Sequence, residues 1–355
     1  MLAAAHDNNQ VCIVGIGART PVGLTAASSA AAVRSGISAI GEHPYYVDKA
    51  GEKMSVARDA KLPPEVGGVE RFYELAKSAM EEALLPLFKN DLEMVLPVFL
   101  GLPEMRPGLP NQLSQELAFR LNQMKETSKL QITTSTYSYG HSAGLMAMEE
   151  GWRMIKRGQI EFCLIGGVDS YLEAETLEWL DDEGQLMSGE NRSGFPPGES
   201  AGFCLLASTA AARSNRFASL ANVVAAATAL EKNCIKTDTV CIGEGLSAAF
   251  SAITSKLRLP EEKIHAIYCD MNGERYRTEE FVFTALRHQK AFVNVHDTTH
   301  PADCWGDIGA ASGPLFACLT IASSQRGYAK GPRSLMWTSS EAGQRSAALL
   351  HLPLT

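Results

Sequence analysis

His141 and Ser142 stand side by side between glycines, in the run Gly140-His141-Ser142-Ala143-Gly144. An imidazole next to a hydroxyl on a tight turn is a constellation for acyl chemistry. The Gly-x-Ser-x-Gly spacing is that of the nucleophile elbow of serine hydrolases and acyltransferases, in which a strand delivers the serine to a sharp bend and a helix follows. Small residues let the backbone bend there, and the first N–H groups of the helix point at whatever binds. An elbow also needs a base and an acid. His141, His265, His296 and His300 are candidates for the base, and no spacing selects one of them. The plainer reading is the stronger: the glycines permit close packing at a helix start, and His141 or Ser142 caps it.

Such a turn must be held by a strand before it and a helix after it. Residues 132–139 are rich in β-branched and aromatic side chains, and Ala143, Leu145, Met146, Ala147, Trp152, Met154 and Ile155 are spaced as an apolar helix. Arg157-Gly158 ends that helix, and a strand runs into Gly166-Gly167. Upstream, residues 11–14 read as a buried strand entering a glycine-rich turn from Gly15 to Gly23. This is not a dinucleotide cradle, because Thr20 stands where the third glycine belongs and Pro21 lacks an N–H. Helices are expected over 26–35, 69–87 and 111–124, a strand over 94–100, a loop over 102–110, and a helix through Trp179-Leu180. A polar turn region, 181–193, leads through Gly194-Phe195-Pro196-Pro197-Gly198-Glu199 into a strand over 203–207.

Near residue 210 the pattern restarts. Strand 219–230, helix 246–256, strand 265–270, helix 278–287 and strand 291–295 precede Gly306-Asp307-Ile308-Gly309, which opens another apolar helix ending at Arg326-Gly327 before a strand over 334–338. Alternating strands and helices predict an α/β fold, and the repeated order predicts two similar halves, 1–210 and 211–355.

Composition narrows the function. The 355 residues are 45% hydrophobic and 20% charged, as in a folded globular protein, and the net charge of −8 argues against a general nucleic-acid or anionic-membrane surface. No run reaches the length of a membrane span, and residues 1–6 lack the charged start and apolar core of a secretion signal. Eight cysteines without a Cys-x-x-Cys pair read as reduced, buried thiols of a cytoplasmic protein, with Cys304, beside Asp303, the one to watch for reactivity. His296 and His300 would share a metal only on a helix, and Pro301 argues for a loop, so no metal is assigned. Glu279-Glu280 and Asp181-Asp182-Glu183 read as solvated faces, and Arg275 and Arg277 as exposed, with a phosphopantetheine or an acidic partner as the sharper alternative.

Four landmarks together resemble the β-ketoacyl synthases of the thiolase superfamily: Gly15-x-Gly17-x-x-Thr20-Pro21-x-Gly23; the helix from Gly144 with Arg157-Gly158 and Gly166-Gly167; Gly194-Phe195 through Gly198-Glu199; and residues 246–273. The resemblance implies a thiolase-like fold of two similar halves stacked as five layers αβαβα, usually dimeric, acting on acyl thioesters of fatty acid or polyketide biosynthesis, with no cofactor. It also implies a catalytic cysteine and two histidines. Counting back from Gly144, Gly158 and Gly166 puts His141 at the nucleophile position, while Asn272 and Asp307 stand at the two histidine positions. Imidazole lacks the polarizable sulfur of a thiolate, Asn272 cannot shuttle a proton, and an ionised Asp307 would repel an enolate. The family's carboxyl-terminal glycine loop, an oxyanion donor and tunnel gate, survives only as Gly343, and Phe195 is the phenylalanine of its glycine-phenylalanine segment, where a rigid core turn with Pro196 and Pro197 is the stronger reading and a substrate gate the weaker.

Two functions are therefore expected. In the first the chain is a ketosynthase-like, non-condensing subunit, adaptor or chaperone, a homodimer that meets an acyl-carrier protein, acyl-CoA or a protein client. In the second it is an acyltransferase or thioester hydrolase using Ser142 or His141.

Overall fold

The computed structural model describes residues 10–124, 129–189, 191–234, 237 and 239–353. The opening segment read above for a secretion signal lies outside the described residues. In the first half, five strands belong to the main sheet: β1 (Val11–Arg19), β4 (Met94–Leu102), β5 (Leu130–Ser138), β6 (Phe162–Ser170) and β7 (Glu199–Ser208). Strands β2 (Ile40–Val47) and β3 (Lys53–Ala57) pair separately as an antiparallel hairpin. The second half supplies β8 (Ala221–Leu230), β9 (Ala266–Cys269), β10 (Thr298–Thr299), β11 (Arg333–Ser339) and β12 (Gln344–His351).

The strands run β5-β4-β6-β7-β1 and then β8-β12-β11-β9-β10. Numbered within its own half, each set reads third, second, fourth, fifth, first, so the two halves share one topology and meet at their first strands. That junction is slight, with Val11, Cys12 and Ile13 opposite Val223, Asn222 and Ala221.

Among the described residues, eight helices of nine or more residues position the rest: α1 (Ala26–Arg34), α2 (Gly68–Ala83), α3 (Leu113–Asn122), α4 (Ala143–Lys156), α5 (Ala174–Asp182), α6 (Glu244–Thr254), α7 (Arg275–His288) and α8 (Ser312–Gln325). Helices α4 and α8 lie between the half-sheets, α4 against β4, β6, β8 and β12 and α8 against β6, β7, β9 and β11. Their apolar residues join one central core, in which Leu145, Met148, Leu315 and Phe316 meet Ile13, Cys204, Met336 and Leu350. On the outer faces, α2 and α3 bury Phe72, Leu75, Met80 and Leu117 against the first half-sheet, and α6 and α7 bury Leu246, Phe250 and Phe281 against the second. The layers are thus helix, sheet, helix, sheet, helix, the thiolase-like arrangement. A strand covered on both faces is apolar along its run, as β6 is from Phe162 to Val168, and a helix between two sheets must be buried all round, as α8 is from Ser312 to Ser324.

Three local expectations are corrected. Gly15 and Gly17 lie inside β1 and not in a turn; a Cβ there would stand 2.2 Å from the Ala83 carbonyl oxygen and 1.9 Å from that of Ala79, so the glycines let α2 lie directly on the strand. The helix expected over 69–87 ends at Ala83, and Pro86 starts a separate short turn, Leu85–Lys89. Residues 291–295 form no strand. Ala291 and Phe292 pack into the outer core beside Phe250, and the third strand of the second half is Thr298–Thr299, parallel to β9. Among the described residues no helix is long and apolar enough to cross a membrane.

Candidate functional site

Two matching turns build the site. At the end of β5 a single 3-10 turn, Gly140–Ser142, with Gly140 at φ +60°, feeds α4. In the second half the 3-10 turn Gly309–Ala311 feeds α8. The turns approach closely because glycine is present where they meet: a Cβ on Gly144, just after the first turn, would stand 2.7 Å from the Ala310 carbonyl oxygen, and one on Gly167 of β6 would stand 2.0 Å from it. That approach carries His141 to Asp307.

Nε2 of His141 lies 2.8 and 2.9 Å from the two carboxylate oxygens of Asp307. The Gly309 N–H donates to the same carboxylate at 2.8 Å, and Nδ2 of Asn272 donates to it at 2.6 Å. Asn272 is fully used, since Nδ2 also reaches Glu274 at 3.0 Å and Oδ1 accepts the Glu274 N–H at 3.0 Å. Behind them lies buried Arg277, whose Nη1 donates to Asp270 at 2.9 Å and to the Ser339 carbonyl at 2.7 Å, while Nε donates to Glu274 at 3.2 Å. Its Nη2 is 3.3 Å from His141 Nε2. A guanidinium cannot accept, and the imidazole N–H is directed at Asp307, so this contact sets two cations side by side around shared carboxylates.

The titration of the pair follows. Burial pulls the His141 imidazole down, yet Asp307 outweighs it and the pKa is raised, with Arg277 opposing. Burial pushes the Asp307 carboxyl up, and His141, Arg277 and the Gly309 N–H more than reverse this, holding it below the usual carboxylate range. Asp270 is raised, because burial exceeds the pull of Arg277. An imidazolium clamped to a carboxylate has no lone pair for attack and no place for another proton.

Ser142 points elsewhere. It is fully buried; its N–H donates to Ser340 Oγ at 2.8 Å, and its hydroxyl is directed at the carbonyls of Thr338 and Gln344, 3.1 and 2.9 Å away. The hydroxyl ties the start of α4 to β11 and β12, with no base among these partners.

A cavity of about 140 Å³ opens at His141, walled by Tyr171, Trp179 and Phe195, with Glu104, Arg106 and Glu341 also lining it. No cysteine lines it. Phe195 is buried edge-on to Tyr171, ring centroids 5.6 Å apart, so it is both a core turn and a wall. Gly343 is not a lining residue. At φ +110° it forms the β11–β12 turn, and its carbonyl accepts the Glu231 N–H at 2.8 Å; Glu341 from the same loop is what reaches the cavity.

Sequence reasoning missed Glu104, Arg106 and Asp169. Arg106 donates to Asp169 at 2.6 Å and to the Ser170 carbonyl at 2.7 Å, and lies 3.9 Å over the Tyr171 ring. Asp169 in turn accepts the Ala310 N–H at 3.0 Å, so this pair anchors the second turn to β6 and to the loop that carries Arg106. Asp169 stands two residues after Gly167, which was a usable signal; Arg106 sits in a proline- and glycine-rich loop that gave none. Burial, and then Glu341, raise the Glu104 carboxyl against the pull of His141.

Two surface expectations are corrected. Arg277 is buried, and so is Glu280, which pairs with Arg345 and accepts from Ser339 Oγ at 3.0 Å. Arg277, Glu280, Phe281 and Thr284 occupy the inner stripe of α7, where helical spacing overrides charge. Arg275 is exposed and pairs with Glu279 at 2.6 Å. His296 and His300 are exposed and flank β10, off any helix. Cys304 is buried, and burial pushes its thiol up, away from thiolate character. Glu231, Cys241 and Glu280 come together, but their carboxylates already accept the Gly245 N–H at 2.8 Å and the Arg345 guanidinium.

Residues 132–212 match the family described as "Beta-ketoacyl synthase, N-terminal domain". No curated protein matches by sequence. Among solved structures, "The ishigamide ketosynthase/chain length factor" is 17% identical with a TM-score of 0.77, the match covering 97% of this chain and 99% of that one. A type II PKS acyl-carrier protein in complex with its ketosynthase, bound to the hexaketide, matches at 14% identity and a TM-score of 0.77 over 97% and 99% of the two chains. A ketosynthase in complex with its chain length factor from Xenorhabdus doucetiae matches at 14% identity and a TM-score of 0.75 over 97% and 98%. Residues 132–212 thus carry the sequence pattern of the β-ketoacyl synthase N-terminal domain, and nearly the whole chain has the fold of the solved ketosynthases.

Proposed function

We propose that this protein is a non-condensing, ketosynthase-like subunit of the cytoplasm, assembled from the halves 1–210 and 211–355, which uses its fold to engage a partner. The observation that carries this reading is the His141–Asp307 ion pair, closed off by Asn272, at the position where the family resemblance implies a thiolate. Condensation needs a nucleophile that accepts an acyl chain and groups that stabilise an enolate; an imidazolium held by a carboxylate supplies neither. The solved relatives include ketosynthases paired with a chain length factor or an acyl-carrier protein, which favours a protein partner for this chain as well. Strand β5 fits a subunit contact. Among the described residues it ends the sheet, pairs with β4 alone, and leaves its other edge for another chain, apart from the Thr134 N–H, which Asn122 accepts at 3.1 Å.

The test is intact-protein mass spectrometry after incubation with acyl-CoA or acyl-loaded carrier protein, with native mass spectrometry of the purified chain. No adduct and no hydrolysis, together with a stable dimer or a carrier-protein complex, is expected. An acyl adduct that disappears in His141→Ala or Ser142→Ala would replace this reading with the transferase or hydrolase one.

A further inference from the structure

Helix α8 has fourteen residues, so its two ends lie about 20 Å apart. Its first turn belongs to the site just described. At its far end, next to the last turn of α1, lies a second cavity of about 150 Å³. Ala30, Ala266 and Leu319 form a buried apolar floor, Tyr268, Thr299 and Ser323 add polar atoms to the wall, and Arg34, Tyr328 and Lys330 stand at the rim. A groove of about 420 Å³ adjoins it, shares Ala30, Arg34 and Tyr328 with it, and adds Arg326.

Charge decides what fits. No carboxylate lines either space. Lys330 is already paired with Asp297, but neither Arg34 nor Arg326 has an ion pair among the described residues. Arg34 is nonetheless held in place, its guanidinium stacked 4.2 Å from the centre of the Tyr328 ring. The carboxyl ends of α1 and α8 bring roughly half a negative charge each, against two full guanidinium charges, so the rim remains positive. The net charge of −8 does not cancel this, because charges more than about 10 Å away are largely screened at ordinary salt. The floor sets the other half of the ligand. An apolar cavity of about 150 Å³ accepts a benzene-sized group, about six carbons.

We propose that this groove binds a short fatty carboxylate, its tail of about six carbons against Ala30, Ala266 and Leu319 and its carboxylate on the Arg34 guanidinium. The site is independent of whatever His141 does, and it leaves the turn that holds His141 untouched.

Titration calorimetry of the full chain at about 0.15 M salt tests it, with hexanoate as the probe and hexylammonium and inorganic phosphate as controls. Saturable one-site binding of hexanoate is expected, with neither control binding. Arg34→Gln, an exposed change that leaves the fold intact, weakens hexanoate about tenfold, as loss of a charge-assisted contact does. Ala30→Phe fills the cavity and abolishes binding, with circular dichroism to confirm folding; should that variant unfold, Arg34→Gln decides alone. No hexanoate binding up to about 10 mM, binding unchanged in Arg34→Gln, or hexylammonium or phosphate binding as well as hexanoate would each overturn the assignment.

Discussion

The two ends of α8 hold similar side chains in opposite states. At the amino end Asp307, His141, Arg277, Asp270 and Glu274 are buried, and each meets an opposite charge within about hydrogen-bond distance. At the carboxyl end Arg34 and Arg326 face solvent with no carboxylate beside them. Burial separates the two. Inside the protein an unmatched charge costs several kcal/mol, so it is paired, and once paired it has nothing left for a ligand. At the surface a guanidinium can stay unmatched at little cost and remain available.

Breaking the buried end should therefore have the largest effect. Asp307→Ala leaves His141 and Arg277 without their shared carboxylate and is expected to cost about 3–5 kcal/mol in urea unfolding; a loss under about 1 kcal/mol would mean that the cluster relaxes into water. Gly167→Ala, which drives a Cβ from β6 into the Ala310 carbonyl of the second turn, is expected to cost about 1–3 kcal/mol. Its matched control is Gly189→Ala, where a Cβ meets nothing within 4 Å.

The pH dependence of unfolding sharpens the contrast. The raised His141 contributes stability in full below its ordinary pKa of 6.5 and loses it as pH rises through its folded value. The depressed Asp307 contributes in full above its ordinary 3.8 and loses it as pH falls through its folded value. The pair is thus strongest between pH 3.8 and 6.5. His141→Asn should flatten the alkaline decline in the urea midpoint, and an unchanged slope would assign that decline to other groups. The smallest effect belongs to the open end, where Arg34→Gln should move stability by no more than about 0.5 kcal/mol while weakening hexanoate binding about tenfold.

The layered fold was legible because burial writes itself into composition. The all-apolar run in β6, the apolar helices α4 and α8, and the repeated strand, glycine, helix and Arg-Gly order are consequences of two half-sheets enclosing two helices. The same reasoning failed at Ala291 and Phe292, where apolar residues fill a core and pair with Ile264 through a single bridge instead of a strand. Side-chain partners were less visible. The count along the chain placed His141, Asn272 and Asp307 at one site, but nothing near Arg277 in sequence reveals the Ser339 carbonyl that receives its N–H, and nothing near Glu280 reveals Arg345. Gly-His-Ser-Ala-Gly satisfied a local pattern, while the direction of the Ser142 hydroxyl depends on strands some two hundred residues further on.

The short junction between the half-sheets bears on how the chain can be rewired. Asn222 of β8 lies opposite Cys12 of β1 on one side and His351 of β12 on the other, so the first and last strands are separated by one strand and stand about 10 Å apart. A linker of a few residues joining them, with a new opening at the exposed turn after Ser214, would yield a circular permutant in which the second half is made first. Each half would then still be translated as one uninterrupted block, because the shared topology begins and ends at that seam.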